Sequence, residues 1–350
     1  SVWFVPDGGP QPIRRSRGYA PLPVPLPFAL PEVLACGAQL KNTFCLTKER
    51  YAFVSQHIGD MENLESFGFF QETVAHLQGI LRVRPEAVIR DLHPNYLSSR
   101  WAQERQDVPV LALQHHFAHV YAVLAEHRLT ASDQGPALGL ALDGTGLGDD
   151  GTLWGGECLY VDPRDLTHRR LGRLHPMPLP GGEAAIREPW RMALAYLTAL
   201  GVTAPRGREW PWLADYGQAD AVTRRMLETG LNCPITTSCG RLFDAVAGLL
   251  GLSARISYEG QAAIQLEKAQ DMTESGAYPC PLDGAAEPPI LNTLELFGHV
   301  ATDWEAGVAT GRIARRFHLG LAQGLADMAA HFAAETGVHV VALSGGVMQN

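Results

Sequence analysis

The sequence predicts an α/β protein built around a duplicated strand-turn-strand unit. Three observations lead there. Residues 33 to 60, VLACGAQLKNTFCLTKERYAFVSQHIGD, read as strand, glycine-containing turn, strand, second turn and strand. Residues 136 to 162, PALGLALDGTGLGDDGTLWGGECLYVD, have the same grammar: an apolar strand runs into Asp143-Gly144-Thr145-Gly146, then a hairpin, then a second strand. Between and after these units, apolar residues recur at three-to-four spacing, the period of a helix with one buried face. Strands and helices mixed in this way belong to the α/β class.

In chain order, SVWFVPDGG reads as the middle of a strand-turn unit, and VVALSGGVMQN stops where a helix should begin, so the chain is expected to be a piece of a longer one. PLPVPLPFALP, residues 21 to 31, alternates prolines. Proline fixes φ and carries no N–H, so a stiff extended connector is expected here, with residues 26 to 32 as the linker between domains. After the first strand unit come three helical patterns: NLESFGFFQETVAHLQGILRV, DLHPNYLSSRWAQE, and VLALQHHFAHVYAVLAEHR, where a short apolar run turns helical near Gln114. The second half reads as largely helical, through AAIREPWRMALAYLTAL, GRLFDAVAGLLG, EGQAAIQLEKAQ and RIARRFHLGLAQGLADMAAHFAAETG. HVVALSGG closes it as a buried strand and a glycine pair.

With 350 residues, 46% hydrophobic and 19% charged, the chain has the profile of a soluble globular protein long enough for two or more cores. A net charge of -9 and a pI of about 5.8 suit a polyanion poorly, so nucleic acid is not expected as a partner. No apolar run approaches the roughly 18 residues of a membrane span and no signal peptide is visible, so no membrane association is expected. Cys36, Cys45, Cys158, Cys233, Cys239 and Cys280 are irregularly spaced without a Cys-x-x-Cys pair. They read as free thiols in a reducing, cytoplasmic setting.

Several short patterns carry chemistry. His115 and His119 stand one helical turn apart, so their imidazoles can converge on one cation, given a third ligand such as a carboxylate. His116 is rotated by about 100 degrees and cannot readily join them. The alternative is a partly buried helix with satisfied imidazoles. Asp143 ends an apolar strand before Gly144, Thr145 and Gly146; glycines admit a phosphate to the backbone, whose N–H groups can cradle it, while the Asp can hold a metal. A plain Asp-Gly hairpin is the alternative. Gly37, Lys41, Asn42 and Thr43 occupy the matching turn of the first unit, where Lys41 suits phosphate charge or solvent. Ser344-Gly345-Gly346, between strand and helix, is a nucleotide-contact geometry or an ordinary turn. Gly181, Gly182 and Glu183 form a second glycine loop, with Glu183 placed to meet a ribose hydroxyl or to cap the helix. Arg14, Arg15 and Arg17 favour an anion, or neighbouring acids.

These motifs, in this order, resemble the HypF family of hydrogenase-maturation carbamoyltransferases. The phrases that carry the resemblance are IRRSRGYAPLPVPLP, ACGAQLKNTFCL, SQHIGDMENLES, DLHPNYLSSRWA, QHHFAHV, LALDGTGLGDDGTLWGGE, PLPGGEAAIREPWRMALA, GRLFDAVAGLLG, YEGQAAIQLE and ALSGGVMQN, and they span nearly the whole chain. The resemblance implies that residues 1 to 25 are the tail of a YrdC-like domain, which makes carbamoyl adenylate from ATP and carbamoyl phosphate. It implies that residues 33 to 350 are a Kae-type domain of the actin-like ATPase (ASKHA) superfamily, with two RNase H-like subdomains and a shortened C-terminus. The family's acylphosphatase-like and zinc-binding regions would precede Ser1, and its closing Asp-Gly-Gly segment would follow Asn350.

Residue by residue, the resemblance makes His115, His119 and Asp143 catalytic and metal-binding. It gives Lys41, Gly144, Thr145, Gly146, Gly181, Gly182, Glu183, Ser344, Gly345 and Gly346 to the nucleotide and its phosphates, and leaves His116 structural. The implied cofactors are ATP or carbamoyl adenylate and a divalent metal: iron, zinc or magnesium. The implied partner is HypE, whose C-terminal cysteine accepts the carbamoyl group for cyanide-ligand synthesis. The full-length enzyme would be ATP-dependent, releasing AMP and pyrophosphate. Rival readings are a tRNA threonylcarbamoyladenosine-type transferase, an antibiotic O-carbamoyltransferase and a non-catalytic ATP-binding scaffold.

Overall fold

A computed structural model describes residues 1–5, 9–16, 18–129, 135–205 and 207–349. The chain divides into two compact units, Ser1–Ala131 and Ser132–Asn350. Both mix strands and helices, as the periodicity requires.

In the first unit, Val33–Ala35 lies between an antiparallel neighbour, Cys45–Val54, and a parallel one, Ala87–Asp91. Val110–Leu113 adds a further parallel strand beside Ala87–Asp91, and Val24–Leu30 an antiparallel one beside Cys45–Val54. The helix Leu64–Leu81 covers this sheet, burying Phe70, Val74 and Leu77 at three-to-four spacing. Asn63 caps its start by accepting a hydrogen bond from the Ser66 N–H at 2.8 Å. Phe70 packs edge-on to Phe44 and Trp101, with ring centroids 5.8 and 5.2 Å away. Val2–Phe4 and Gln11–Arg14 form a separate antiparallel ribbon.

Three expectations for this unit are corrected. The second turn expected within residues 33 to 60 is a kink inside one continuous strand, Cys45–Val54, where Glu49 takes φ 54°. Only Leu97–Gln103 of the DLHPNYLSSRWAQE segment is helical, because Asp91 closes the preceding strand and the proline follows it. The proline-rich stretch runs extended, as expected, but Val24–Leu30 pairs as an edge strand. Prolines at alternate positions remove N–H groups from one side of a strand only, which an edge can spare.

The second unit repeats the pairing logic. Ala137–Leu147 lies between antiparallel Leu153–Asp162 and parallel Val341–Ser344, and Thr167–Leu174 extends the sheet beyond Leu153–Asp162. The duplication inferred from sequence is thus present in the hydrogen bonding of the two sheets. The core is helical. Every residue of Cys239–Leu249 except Gly240 is buried, as a helix apolar nearly all round must be. Thr310–Thr336 buries a stripe from Ile313 to Phe332 at three-to-four spacing.

Here too the structure departs from the reading. Asp143-Gly144-Thr145-Gly146 is not a turn at the strand's end. The strand continues to Leu147, and these residues form a bulge between the Leu142–Gly156 and Gly146–Trp154 pairs. The tight turn comes later, where the Gly148 N–H meets the Thr152 carbonyl at 2.9 Å. Val341–Ser344 buries only Ala342, and a single 3-10 turn, Gly346–Gln349, follows it. Two helices go unnamed in the sequence reading. Leu213–Thr229 fully buries only Asp220 and Thr223, its apolar residues Leu213, Tyr216, Ala219 and Leu227 being half-buried against the core. Thr293–Glu305 carries a buried apolar stripe, with Asn292 accepting from the Glu295 N–H at 3.1 Å, a legible cap that the reading passed over.

Among the described residues, no helix is long and apolar enough to cross a membrane. All six cysteines are free thiols.

A cluster on the second unit ties Glu274 to the Gly276 N–H at 2.8 Å, Arg312 at 2.7 Å and Arg316 at 3.0 Å. The Gly276 hydrogen bond first, then the two guanidiniums, hold its carboxyl down to about 2 from an ordinary 4.5. A carboxyl depressed by folding stabilises fully above its unfolded pKa and loses that contribution as pH falls toward the folded one. Glu274→Gln should therefore lower the thermal midpoint at neutral pH. The gap from wild type should close as pH is taken from 4.5 toward 2, read by calorimetry across that range.

Candidate active site

The first unit builds its site at the ends of parallel strands. Register pairs Asp91 with Leu113, two residues before His115. Gln114 caps the histidine helix His115–Glu126, its side-chain oxygen accepting from the Phe117 N–H at 2.7 Å. Asp91 Oδ2 and His115 Nδ1 lie 2.7 Å apart, and Asp91 Oδ1 accepts from the His93 N–H at 2.8 Å. A carboxylate on one ring nitrogen fixes the tautomer and the ring's orientation, and any coordination by His115 then runs through Nε2. The His115 and His119 rings stand 4.9 Å apart, centroid to centroid, at 75°. His116 is fully buried, with Nδ1 3.2 Å from Gln114 Nε2. Asp91 escaped the sequence reading. The signal was a carboxylate ending a strand in the phrase DLH, but only the sheet register brings it to His115.

Lys41 occupies a turn at φ 48°, its backbone N–H donating to Asp60 Oδ1 at 2.8 Å. Asn42 turns inward instead: its amide donates to the Cys36 and Ala38 carbonyls at 3.0 and 2.6 Å, fastening the turn. Arg15 donates to the Tyr19 and Leu22 carbonyls, Arg14 is exposed, and Arg17 lies outside the described residues.

In the second unit, parallel pairing of Val341–Ser344 with Ala137–Leu147 sets Ser344 beside Ala141. The Ser344-Gly345-Gly346 turn therefore falls against Leu142 and Asp143. Asp143 Oδ1 accepts from the Gly144 N–H at 2.8 Å and the Gly346 N–H at 3.3 Å. Gly345 sits at φ 101°, and a Cβ there would stand 2.1 Å from the Leu142 carbonyl oxygen, so only glycine fits. Two glycine turns and one carboxylate thus share a small area of backbone N–H groups. Gly181 and Gly182, at φ 92° and 56°, precede the short helix Glu183–Arg187. The Gly181 N–H donates to the Asn232 carbonyl at 2.8 Å. Glu183 enters the first turn with an exposed side chain, 4.0 Å from Arg187.

Behind the bulge lies a network that sequence reasoning missed. Glu157 is fully buried. It accepts from the Gly155 and Gly156 N–H groups, both at 3.2 Å, from Arg170 Nε at 2.6 Å, and from the Thr237 hydroxyl. Arg170 also reaches Asp150 at 3.0 Å and stacks over Trp154, 4.1 Å from the ring centroid. Burial pushes the Asp150 carboxyl up, but hydrogen bonds from Thr152 and Trp154 and the charge of Arg170 outweigh it and hold the carboxyl low. Four donors offset a desolvation cost of several kcal/mol for a buried carboxylate. Their partners come from three segments far apart in sequence, so no local pattern reveals them.

Burial pushes the cysteine thiols up, to about 11 for Cys45 and about 12 for Cys36, Cys158 and Cys280, with Cys233 and Cys239 raised as well. The reactive species is the thiolate, which burial disfavours.

Two family models match the chain: the HypF Kae1-like domain over residues 29–126, and the carbamoyltransferase Kae1-like domain, second subdomain, over residues 139–350. The carbamoyltransferase HypF of Rhizobium leguminosarum bv. viciae is 45% identical over 355 residues, covering 100% of this chain and 44% of that protein. A carbamoyltransferase HypF homolog of Cupriavidus necator is 42% identical, covering 91% of this chain and 81% of that protein. A crystal structure of full-length HypF in the phosphate- and nucleotide-bound form superimposes with a TM-score of 0.89 at 33% identity, over 100% of this chain and 54% of that one. The structure of T. kodakarensis HypF gives 0.85 at 35% identity, over 99% and 46%. The chain spans less than half the length of the Rhizobium relative.

The glycine requirement can be measured. Gly345→Ala should cost roughly 2–4 kcal/mol in urea unfolding, from steric overlap plus a disfavoured φ. Gly307→Ala, at φ 75° with nothing within 4 Å of the added carbon, should cost only about 1 kcal/mol.

Proposed function

Because this chain belongs to the HypF carbamoyltransferase family, we propose that it carries the carbamoyl-transfer step of nickel-iron hydrogenase maturation. The donor is carbamoyl adenylate, made from carbamoyl phosphate and ATP with release of inorganic phosphate and pyrophosphate. Residues 1 to 25 would be the end of the YrdC-like domain that makes it. The acceptor is the C-terminal cysteine of HypE, in the cytoplasm. Its thiolate attacks the carbamoyl carbon, a C–S bond forms, and the C–O bond to the adenylate phosphate breaks. AMP leaves with the electron pair, and the product is a thiocarbamate.

The observation that carries this reading is the carboxylate–imidazole pair of Asp91 and His115, with His119 one turn on. Metal-binding histidines are held in this manner. The residues present fit a divalent cation. Two imidazole nitrogens from His115 and His119 make up a borderline donor pair compatible with iron or zinc, and less so with magnesium, with a carboxylate required as a third ligand. Such a cation supplies Lewis acidity toward a carbonyl or phosphate oxygen. Asp91 orients His115. The Thr145 N–H, and close backbone approach at Gly144, Gly146, Gly181, Gly182, Gly345 and Gly346, receive phosphate oxygens, with Ser344 beside them and Glu183 meeting the ribose. That a HypF relative has been seen in a phosphate- and nucleotide-bound form supports nucleotide binding in the family. The raised thiols support an acceptor from outside the chain, since none of the six is poised to attack.

Incubating HypE with the full-length enzyme, ATP and carbamoyl phosphate should add one carbamoyl mass to its terminal cysteine, read by mass spectrometry. His119→Ala should abolish that increment while carbamoyl-phosphate-dependent pyrophosphate release continues. Parallel loss of both would refute the assignment of these histidines to transfer. Asp91→Ala should weaken zinc binding about 10- to 100-fold in competition with a chelator dye, and an unchanged affinity would remove its orienting role.

A further inference from the structure

The bulge in Ala137–Leu147 creates a problem of backbone accounting. Three residues, 143 to 145, stand opposite Gly155 alone, so their peptide groups leave the ladder. Carbonyls displaced in this way need new donors. Asp143 and Gly144 share one hydroxyl, whose single proton lies mainly on the nearer Gly144 oxygen. Ser238 Oγ lies 2.6 Å from the Gly144 oxygen and 3.1 Å from the Asp143 oxygen. The same oxygen accepts the Arg241 N–H at 3.1 Å, so it also caps the buried helix Cys239–Leu249.

In a trans peptide the C=O and the next N–H point in opposite directions. Turning the Asp143 and Gly144 carbonyls toward Ser238 therefore turns the N–H groups of Gly144 and Thr145 away from it. Gly144 bears this out, since its N–H meets Asp143 Oδ1 at 2.8 Å, the atom that the Gly346 N–H also approaches. Ser238 is itself fixed. Its N–H donates to Thr236 Oγ1 at 3.1 Å, and its neighbour Thr237 donates its hydroxyl to Glu157 and its N–H to the Leu153 carbonyl. Gly155 closes the gap from the other side: a Cβ there would stand 2.6 Å from the Asp143 oxygen and 3.1 Å from Ser238 Cα.

We propose that Ser238 is a positioning residue for the phosphate-binding turn. Its hydroxyl holds two carbonyls on one face of the bulge and so commits the Gly144 and Thr145 N–H groups to the face that receives phosphate. This rests on the phosphate reading given above. Without the hydroxyl, the Gly144–Thr145 peptide loses its carbonyl anchor and the Asp143–Gly144 peptide is left with the bond from the Gly144 N–H to Asp143 Oδ1, so the Thr145 N–H above all is less well set before ligand arrives.

The test uses the full chain and ADP with magnesium as the probe. Ser238→Ala should bind ADP about ten-fold more weakly, the equivalent of one lost positioning interaction. Its Gly144 and Thr145 amides should exchange with solvent faster than those of the wild type. Ser238→Thr, which restores a hydroxyl, should recover both. Asn292→Ala removes a cap of the same kind from Thr293–Glu305 and sets the background for generic cap loss; it should change neither. Unchanged ADP affinity and amide exchange in Ser238→Ala, or equal losses in Asn292→Ala, would overturn the proposal. Should the wild type not bind ADP, the phosphate reading fails, while the exchange comparison still decides whether Ser238 orients the turn. If Ser238→Ala does not fold, Ser238→Cys, a weak donor at the same position, is read in its place.

Discussion

In each unit one strand is hydrogen-bonded on both sides, antiparallel to its hairpin partner and parallel to a strand that enters later in the chain. Val33–Ala35 has this position in the first unit and Ala137–Leu147 in the second. The parallel neighbour is the constraint that matters. Parallel strands finish at the same end of a sheet, and loops leaving that end are brought together whatever their separation in sequence. Asp91 and His115 meet because Ala87–Asp91 and Val110–Leu113 run side by side. Asp143 and the Ser344-Gly345-Gly346 turn meet because Val341–Ser344 returns beside Ala137–Leu147, about two hundred residues later.

That constraint also sets what can be read from sequence. Helices with a strong apolar period, such as Thr310–Thr336, are legible because their burial is decided within the segment. Leu213–Thr229 is not, since its inner face interleaves half-buried apolar residues with buried polar ones: Asp220 accepts from the Trp212 indole at 2.9 Å and from Arg224 at 2.7 Å. Residue types picked out by chemistry, such as the histidine pair, Asp143 and the glycine motifs, can be proposed without coordinates. Residues that act by holding them cannot. Asp91 shows only as a carboxylate ending a strand and Ser238 only as a helix cap, while Glu157 and Thr237 show nothing; what each of them holds is known only from register and long-range packing. The same limit explains the misplaced turn at Asp143. A strand that tolerates two extra backbone units does so because Gly155 and Ser238 close around it from elsewhere.

Buried charge is concentrated around this second-unit machinery. Besides Glu157 and Arg170, the helix Cys239–Leu249 carries Arg241 and Asp244, 3.0 Å apart and almost without solvent contact. Burial pushes the Asp244 carboxyl up to about 6, and Arg241 only partly counters it. Both groups lie within two turns of the Ser238 cap. A helix that is otherwise wholly apolar thus spends two charged side chains at the end that meets the glycine bulge, where loss of a single orientation would matter most.

The edge strand Val24–Leu30 has a consequence of a different kind. Its prolines stand at every second position, so one flank has carbonyls but few donors. Such a flank makes a poor template for a foreign strand. Within that five-stranded sheet, the opposite margin, Val110–Leu113, is the one with its donors in place and with Leu111 exposed. The sheet therefore has a blunted side and a receptive side, and the receptive side is the one that leads directly into the histidine helix.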